Sequence, residues 1–560
     1  MSSVVAPDSR FPRLGAAAAI LLVPLAYFWL VGRYGWSDTD DGFVLGSAWR
    51  VFQGQLPYRD FIDIRPPTSA YLHSLWFRAA DPRYVFAAAR LGAITEMWAY
   101  SLAAAWALAR VRGRAAASEV LPLALAGFLL SATAFTPMPW HTTDGLVFSA
   151  LGAALLVCSD RPVVVVTAAG LVLVGMGAKQ SFYPAAPLAL AFLAAERRFR
   201  SAGLFAAATA VGVAAFAAWL ASRGALGEFL TQTTARTGGG YVFAAGVSSY
   251  LDMGLPFAAE GLAAIAAAWV LVRLARQRFR RGHAAVAVGL VVVTEYLRRL
   301  GGHAWVNAST LGYPHALFLA AAGLALVRAA RPASRREGLA GLLFLGLAWC
   351  ASLSIGFPTP LLFAAPLVAI PLLRPGGPAD RDHPPRPVWL WAVAALAGAM
   401  AALAALYPYE ERDPRAAEHC PLSSVEPKLA LIVSGPRTCA KLGEYQALRR
   451  AHPGPFLTLP AFATAHAFAG DLDPVAADWP TLAEDAGRSV QLAGEADAQV
   501  RYAFVEADEA AQATGDQRMP VLEHIRAAWR PVARGQVYVV YENPAWRPAP
   551  SGPLFGKTPE

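Results

Sequence analysis

The sequence predicts an α-helical polytopic membrane protein of about 11–13 transmembrane helices with a C-terminal soluble α/β domain. Three observations predict it. Of the 560 residues, 56% are hydrophobic and only 16% charged, where soluble domains carry about 25% charged residues. Apolar runs recur at 14–33, 84–109, 118–136, 144–159, 162–178, 182–195, 202–222, 255–275, 284–300, 311–327, 338–356, 360–373 and 388–407, and a spanning helix needs about 20 such residues. From residue 408 the composition turns to turn formers, charges and short β-like runs, dividing the chain into a membrane part, 1–407, and a tail, 408–560.

The net charge of +9 would suggest a nucleic-acid partner in a soluble protein. Here the arginines gather in every second connection: Arg10 and Arg13; Arg110, Arg112 and Arg114; Arg161; Arg197, Arg198 and Arg200; Arg273 to Arg281; Arg328 to Arg336; Arg374, Arg381 and Arg386. That alternation follows the positive-inside rule with a cytoplasmic N-terminus. No nucleic-acid partner is expected, and an odd number of spans puts the first loop and the tail on the extracytoplasmic face.

The elements follow in order. The first run ends in "YGWSDTDD" with no small-x-small site, so it reads as a span rather than a cleaved signal. The loop 34–83 is long for a connector. Within it, 41–52 reads as an amphipathic helix suited to the membrane surface, with Ser37 and Asp40 in capping-box spacing at its start. Pro66 and Pro67 then end any helix. Runs 162–178 and 182–195 are parted only by "AKQSF", as half-helices would be. "RTGGGYVF" (236–243) reads as an outer loop, a connector or a lid. The tail alternates β-like runs at 429–435, 455–460, 500–506 and 536–542 with helical patterns at 440–450 and 520–529, which suggests a mainly parallel sheet. Cys158 and Cys350 sit in apolar runs as packing residues; Cys420 and Cys439 can pair if the tail lies outside.

The chemistry concentrates in the first loop. Asp38, Asp40 and Asp41 crowd a helix start. Such acids commonly mark a membrane boundary, but a carboxylate held at a helix N-terminus can also act as a general base, and a pair can hold a divalent metal. Further along the loop stand Tyr58, Arg65 and His73; the second outer loop offers His141 and Asp144. With Asp40 these two make a candidate metal set; their ordinary roles are capping and hydrogen bonding. Lys179, between two apolar runs, either snorkels or serves a cavity. Arg298 and Arg299, flanked by Glu295 and His303, are either boundary anchors or further cavity residues. No cofactor other than a divalent metal is suggested.

The stretch "DTDDGFVLGSAW…GQLPYRDFIDIRPPTSAYLHSLWF" resembles the first outer loop of the glycosyltransferase C superfamily, in the bacterial branch of protein O-mannosyltransferases and lipid A aminoarabinose transferases. The resemblance implies an enzyme of the bacterial inner membrane that moves a hexosyl or pentosyl group from a polyprenyl-phosphate donor to an envelope lipid, glycan or protein acceptor, with inversion. It implies Asp40 as general base, with Asp41, where the family often has Glu, orienting the acceptor or supporting a metal. Lys179, Arg298 and Arg299 become candidate donor-phosphate partners, with Asp38, Tyr58, His73, Glu295 and His303 about the acceptor cavity. The family more often has His where Arg65 stands, and an arginine there can take a phosphate. Three rival readings stay open on the sequence: a transporter or flippase for a lipid-linked or small solute, a non-catalytic assembly protein, and a ligase of whole oligosaccharides.

Overall fold

The computed structural model describes residues 20–113, 117–234, 239–302, 312–354, 359–361, 363, 394–395, 397–399, 401–402, 405–406, 414–460, 462–507 and 518–547. Among the described residues the chain is largely helical, with three helices long and apolar enough to cross a membrane and a small sheet-bearing tail. The apolar runs become α1 (Ile20–Gly32), α4 (Val85–Val111), α5 (Ala117–Ala134), α6 (His141–Cys158), α7 (Pro162–Met176), α8 (Ala185–Ala195), α9 (Phe199–Ser222), α12 (Leu255–Leu274), α13 (Arg281–Gly302), α14 (Tyr313–Ala329) and α15 (Arg335–Ser352). The runs 360–373 and 388–407 fall mostly outside the described residues. Proline stands in the first turn of α7, α12 and α14, where its missing N–H costs nothing.

Length and hydropathy together qualify fewer spans than the 11–13 expected. Among the described residues α6, α9 and the stretch Gly246–Leu274 qualify, and α14 with α15 makes a fourth if the pair, bent by 119°, counts as one. Several of the other apolar helices are too short to qualify, among them Ile20–Gly32, Ser118–Thr133 and α7, and α7 and α8 are separate helices that break at "AKQSF". The glycine-rich stretch also differs from expectation. Residues 235–238 lie outside the described set, but Gly239–Ser249 is a helix, α11, which runs through a π turn into α12. Its apolar "YVFAAGV" is thus helical rather than a loop, and its last residues enter the apolar stretch Gly246–Leu274.

The first outer loop folds as α2 (Asp40–Phe52) and α3 (Thr68–Ala79). The capping box closes one residue later than expected: Ser37 Oγ accepts from the Asp40 N–H at 3.1 Å, and the Asp41 carboxylate accepts from the Ser37 N–H at 3.1 Å. Nor does α2 lie bare on the membrane. Gly42 and Gly46 press against Thr464 and Ala463 of the tail, and a Cβ on Gly46 would stand 2.8 Å from the Ala463 Cβ. Trp49 donates its indole N–H to the Asp471 carbonyl at 2.7 Å.

In the tail the order is β3 (Phe456–Leu459), β4 (Tyr502–Glu506), β6 (Tyr538–Glu542), β5 (Arg530–Arg534). Only β3 and β4 run parallel; β6 is antiparallel to both neighbours, so the sheet is mixed rather than mainly parallel. The expected strand at 429–435 shrinks to β2 (Val433–Ser434), which pairs with β1 (Cys420–Pro421) in a separate ladder. Cys420 and Cys439 are disulfide-bonded, with Cα atoms 6.4 Å apart.

Two arginines clamp α2. Arg90 of α4, fully buried, donates to the Asp41 carboxylate at 2.7 Å and to the carbonyls of Gly32 and Gly35. At the other end Arg50, also buried, reaches Asp478 at 2.7 Å, the Val475 carbonyl at 2.7 Å and Asp473 at 3.3 Å. Backbone bonds add to the joint: Val433 pairs with the Arg33–Gly35 segment, and Ile62 donates to the Ala476 carbonyl. Removing one partner of a buried ion pair costs about 3–5 kcal/mol, because the other charge stays uncompensated. Arg50→Ala is therefore expected to lower the unfolding midpoint in detergent and to expose the tail to limited proteolysis. Arg50→Lys is expected to recover little of this, since an ammonium lacks the fork that reaches several acceptors.

Candidate active site

The site forms where α2, the loop end at Arg65, the start of α6 and the α7–α8 break meet the tail. Phe43, one turn after Asp40, is its hub. Its ring lies 5.3 Å from Trp140, 5.7 Å from His141 and 5.2 Å from Trp479 of the tail. The Arg65 guanidinium sits over the same ring at 4.5 Å. Asp40 is half-buried in the first turn of α2, three residues before Phe43, and residues three apart on a helix are neighbours on its surface.

Arg65 is held by geometry on both flanks. Its backbone N–H bonds the Asp63 carboxylate at 2.9 Å, and its two terminal nitrogens donate to the two oxygens of Glu484 at 2.7 Å each. Tyr58, at φ 71°, donates its hydroxyl to the Arg65 carbonyl at 2.6 Å, while the Gln232 amide donates to the Tyr58 carbonyl. The loop then docks on the helix break: Thr68 N–H bonds the Gly177 carbonyl, and the Gln180 amide bonds the Ile64 carbonyl. Lys179 projects from that break and donates to Thr142 Oγ1 at 3.1 Å.

The site is charged and largely buried. Burial pushes the Lys179 ammonium down to about 7; the Arg65 charge adds to this and Glu484 opposes it. Burial pushes the Asp63 carboxyl up to about 7, against the pull of the Arg65 N–H and guanidinium. His141 is buried, and its Nδ1 has no hydrogen-bond partner. The cleft thus gathers Arg65, Lys179 and an unpartnered imidazole nitrogen in one place.

A separate cluster lies below it. His73 Nε2, a Glu96 oxygen and an Asp144 oxygen all lie within 4.8 Å of one another, a spacing a metal could use. The hydrogen bonds argue otherwise. The Trp76 indole N–H, which can only donate, bonds His73 Nδ1 at 3.1 Å. The ring proton of the neutral imidazole is then on Nε2, where it donates to Asp144 at 3.0 Å. A nitrogen that donates a proton is not a ligand, so the residues present do not fit a resident metal.

No protein-family model matches the chain, and no curated protein matches it. Among solved structures it is similar to the Archaeoglobus fulgidus oligosaccharyltransferase in complex with zinc and sulfate, at 12% identity and TM-score 0.42 over 94% of this chain and 73% of that one. It is similar to oligosaccharyltransferase AglB of the same organism, in complex with an inhibitory peptide and a dolichol-phosphate, at 12% identity and TM-score 0.44 over 92% and 72%. It is also similar to apo ArnT from Cupriavidus metallidurans, at 12% identity and TM-score 0.46 over 95% and 98%.

Several expected site residues have other partners. Asp41, expected to orient an acceptor or support a metal, is consumed by Arg90. Asp38 reaches Lys441 of the tail at 2.9 Å and serves the joint between the two parts. Tyr58 and His73, expected in the cavity, are fully buried in the loop and in the Asp144 cluster. Asp144 turns to His73 and Glu96, so the set Asp40, His141 and Asp144 does not assemble. The side chains of Glu295, Arg298 and Arg299, and all of His303, lie outside the described residues. Sequence reasoning passed over Arg90 and Glu96, although an ionisable group inside an apolar run is itself a signal. Trp479 and Glu484 carried no signal; only the fold of the tail brings them here.

Asp63 gives the site a pH signature. Its folded-state pKa is raised, so its contribution to stability is fully present below about 4 and is lost as pH rises through about 7. The unfolding midpoint of the wild type is expected to fall over that window. In Asp63→Asn the fall is expected to be shallower, which a pH series of thermal unfolding curves would check.

Proposed function

We propose that the chain is an integral membrane glycosyltransferase that moves a hexosyl or pentosyl group from a polyprenyl-phosphate donor to an envelope lipid, glycan or protein acceptor. The observation that carries this reading is the convergence of Arg65, Lys179 and His141 on the Phe43 face of α2, where Asp40 also stands. Arg65 presents a two-pronged donor suited to phosphate oxygens, and Lys179 adds a charge that burial leaves poised. Phe43, Trp140 and Trp479 offer apolar faces for a sugar ring. The acceptor oxygen attacks the anomeric carbon as the bond to the phosphate oxygen breaks, and Asp40 takes the acceptor proton. The leaving phosphate keeps its electron pair and stays on Arg65 and Lys179. The configuration inverts because attack and departure occur on opposite faces.

The disulfide between Cys420 and Cys439 supports a tail on the oxidising side of the membrane. That fits a cytoplasmic N-terminus, an inner-membrane enzyme of bacterial type, and a division near residue 407. One observation favours the rival transporter: the buried His73 and Asp144, with the half-buried Glu96, gather on the helices α3, α4 and α6, as ion-pathway residues do.

The test is sugar transfer by purified protein in nanodiscs, with a panel of polyprenyl-phosphate sugars and extracted envelope acceptors. Asp40→Asn is expected to lose about 100-fold or more in rate while keeping its unfolding midpoint. Full activity in that variant removes Asp40 as the base. A chelator is expected to leave the unfolding midpoint unchanged, because His73 holds its proton toward Asp144 and its cluster needs no metal to stay together. Uptake of a solute into proteoliposomes, with no transfer from any donor, would favour the transporter.

A further inference from the structure

The tail reaches the candidate site through one charged side chain. Glu484 stands in a turn whose 484 and 485 N–H groups bond the Thr481 carbonyl, and which is tied to the rest of the tail by Leu482 N–H to the Arg518 carbonyl. Its two carboxylate oxygens fill both prongs of Arg65 at 2.7 Å. A carboxylate and a phosphate present the same pair of oxygens to a guanidinium fork. On the loop side the guanidinium sits over the Phe43 ring at 4.5 Å. Glu484 also acts on Lys179 across the cleft, opposing the burial that strips its charge.

We propose that Glu484 is a built-in occupant of the donor-phosphate subsite: its carboxylate holds the place of the lipid phosphate on Arg65 until the donor displaces it. This rests on the reading of Arg65 as a phosphate partner. The tail is then part of the donor site, and loading the donor requires the 481–485 turn to leave the Arg65 fork. The neighbouring anchors allow that. Arg50 holds Asp473 and Asp478 in a buried pair a few residues earlier, so the tail stays docked while the turn moves. Glu484 occupies both terminal nitrogens of Arg65, so a phosphate that uses the same two nitrogens competes with it.

The experiment measures equilibrium binding of a long-chain polyprenyl phosphate to the full chain in nanodiscs, read by tryptophan fluorescence. Glu484→Gln keeps the shape but loses the charge, and is expected to bind the lipid phosphate about tenfold more tightly than wild type. Arg65→Gln is expected to bind it more weakly, and adding Glu484→Gln to that variant is expected to give no further gain. In the wild type, hydrogen exchange across 481–485 is expected to quicken when the lipid phosphate is added. Equal or weaker binding by a folded Glu484→Gln, or unchanged exchange in a wild type that binds, overturns the occupant role and leaves the donor reading standing. No binding of the lipid phosphate by wild type and Glu484→Gln alike overturns both.

Discussion

The buried pair between Arg90 and Asp41 is the constraint from which the rest of the site takes its place. It crosses from the first membrane helix of the main bundle to the first turn of α2, and Arg90 also ties down the carbonyls of Gly32 and Gly35. An arginine inside an apolar run is costly unless its donors are satisfied, and here the chain leaving α1 supplies the acceptors. Once Asp41 is fixed, helical geometry decides what its neighbours do. Gly42 and Gly46 turn to the tail. Of the two adjacent aspartates, Asp41 is the one that anchors the helix on Arg90.

The cleft is made jointly. Arg65 and Phe43 come from the loop, His141 and Trp140 from the start of α6, Lys179 from the break after α7, and Trp479 and Glu484 from the tail. The break is itself functional geometry: a continuous helix through 176–185 would have carried Lys179 away from Thr142, while the short 3-10 turn Gln180–Phe182 lets Gln180 hold the loop at Ile64. Charges that would be expensive singly are kept by their mutual arrangement, and two of them, Asp63 and Lys179, are pushed toward neutrality near pH 7.

Much of the helical layout was legible in the sequence because apolar runs and their breakers are local signals. The start of α2, the stop at Pro66–Pro67 and the interruption at "AKQSF" all carry such signals. The strand pairing of the tail was not legible, since β5 has an exposed, Arg-bearing sequence that gains its order only by pairing with β6. The roles of the acids were half legible. A cluster at a helix start announces a site, but which member is spent on structure depends on Arg90, which lies 49 residues away in sequence. His73 and Asp144 looked like loop residues near a catalytic centre, and burial made them a hydrogen-bonded brace between α3 and α6 instead.

The two glycines on α2 have a consequence for how such a chain can change over time. At Gly46 the helix backbone approaches Ala463 so closely that even a methyl group would collide, and a Cβ on Gly42 would stand 3.3 Å from Thr464. The surface between helix and tail is therefore matched atom to atom, in contrast to the loose, polar joint across which domains are usually recombined. A tail borrowed from another protein would have to bring a small residue at the position of Ala463 as well as the acids that receive Arg50. Loop and tail are thus bound to change together at these positions.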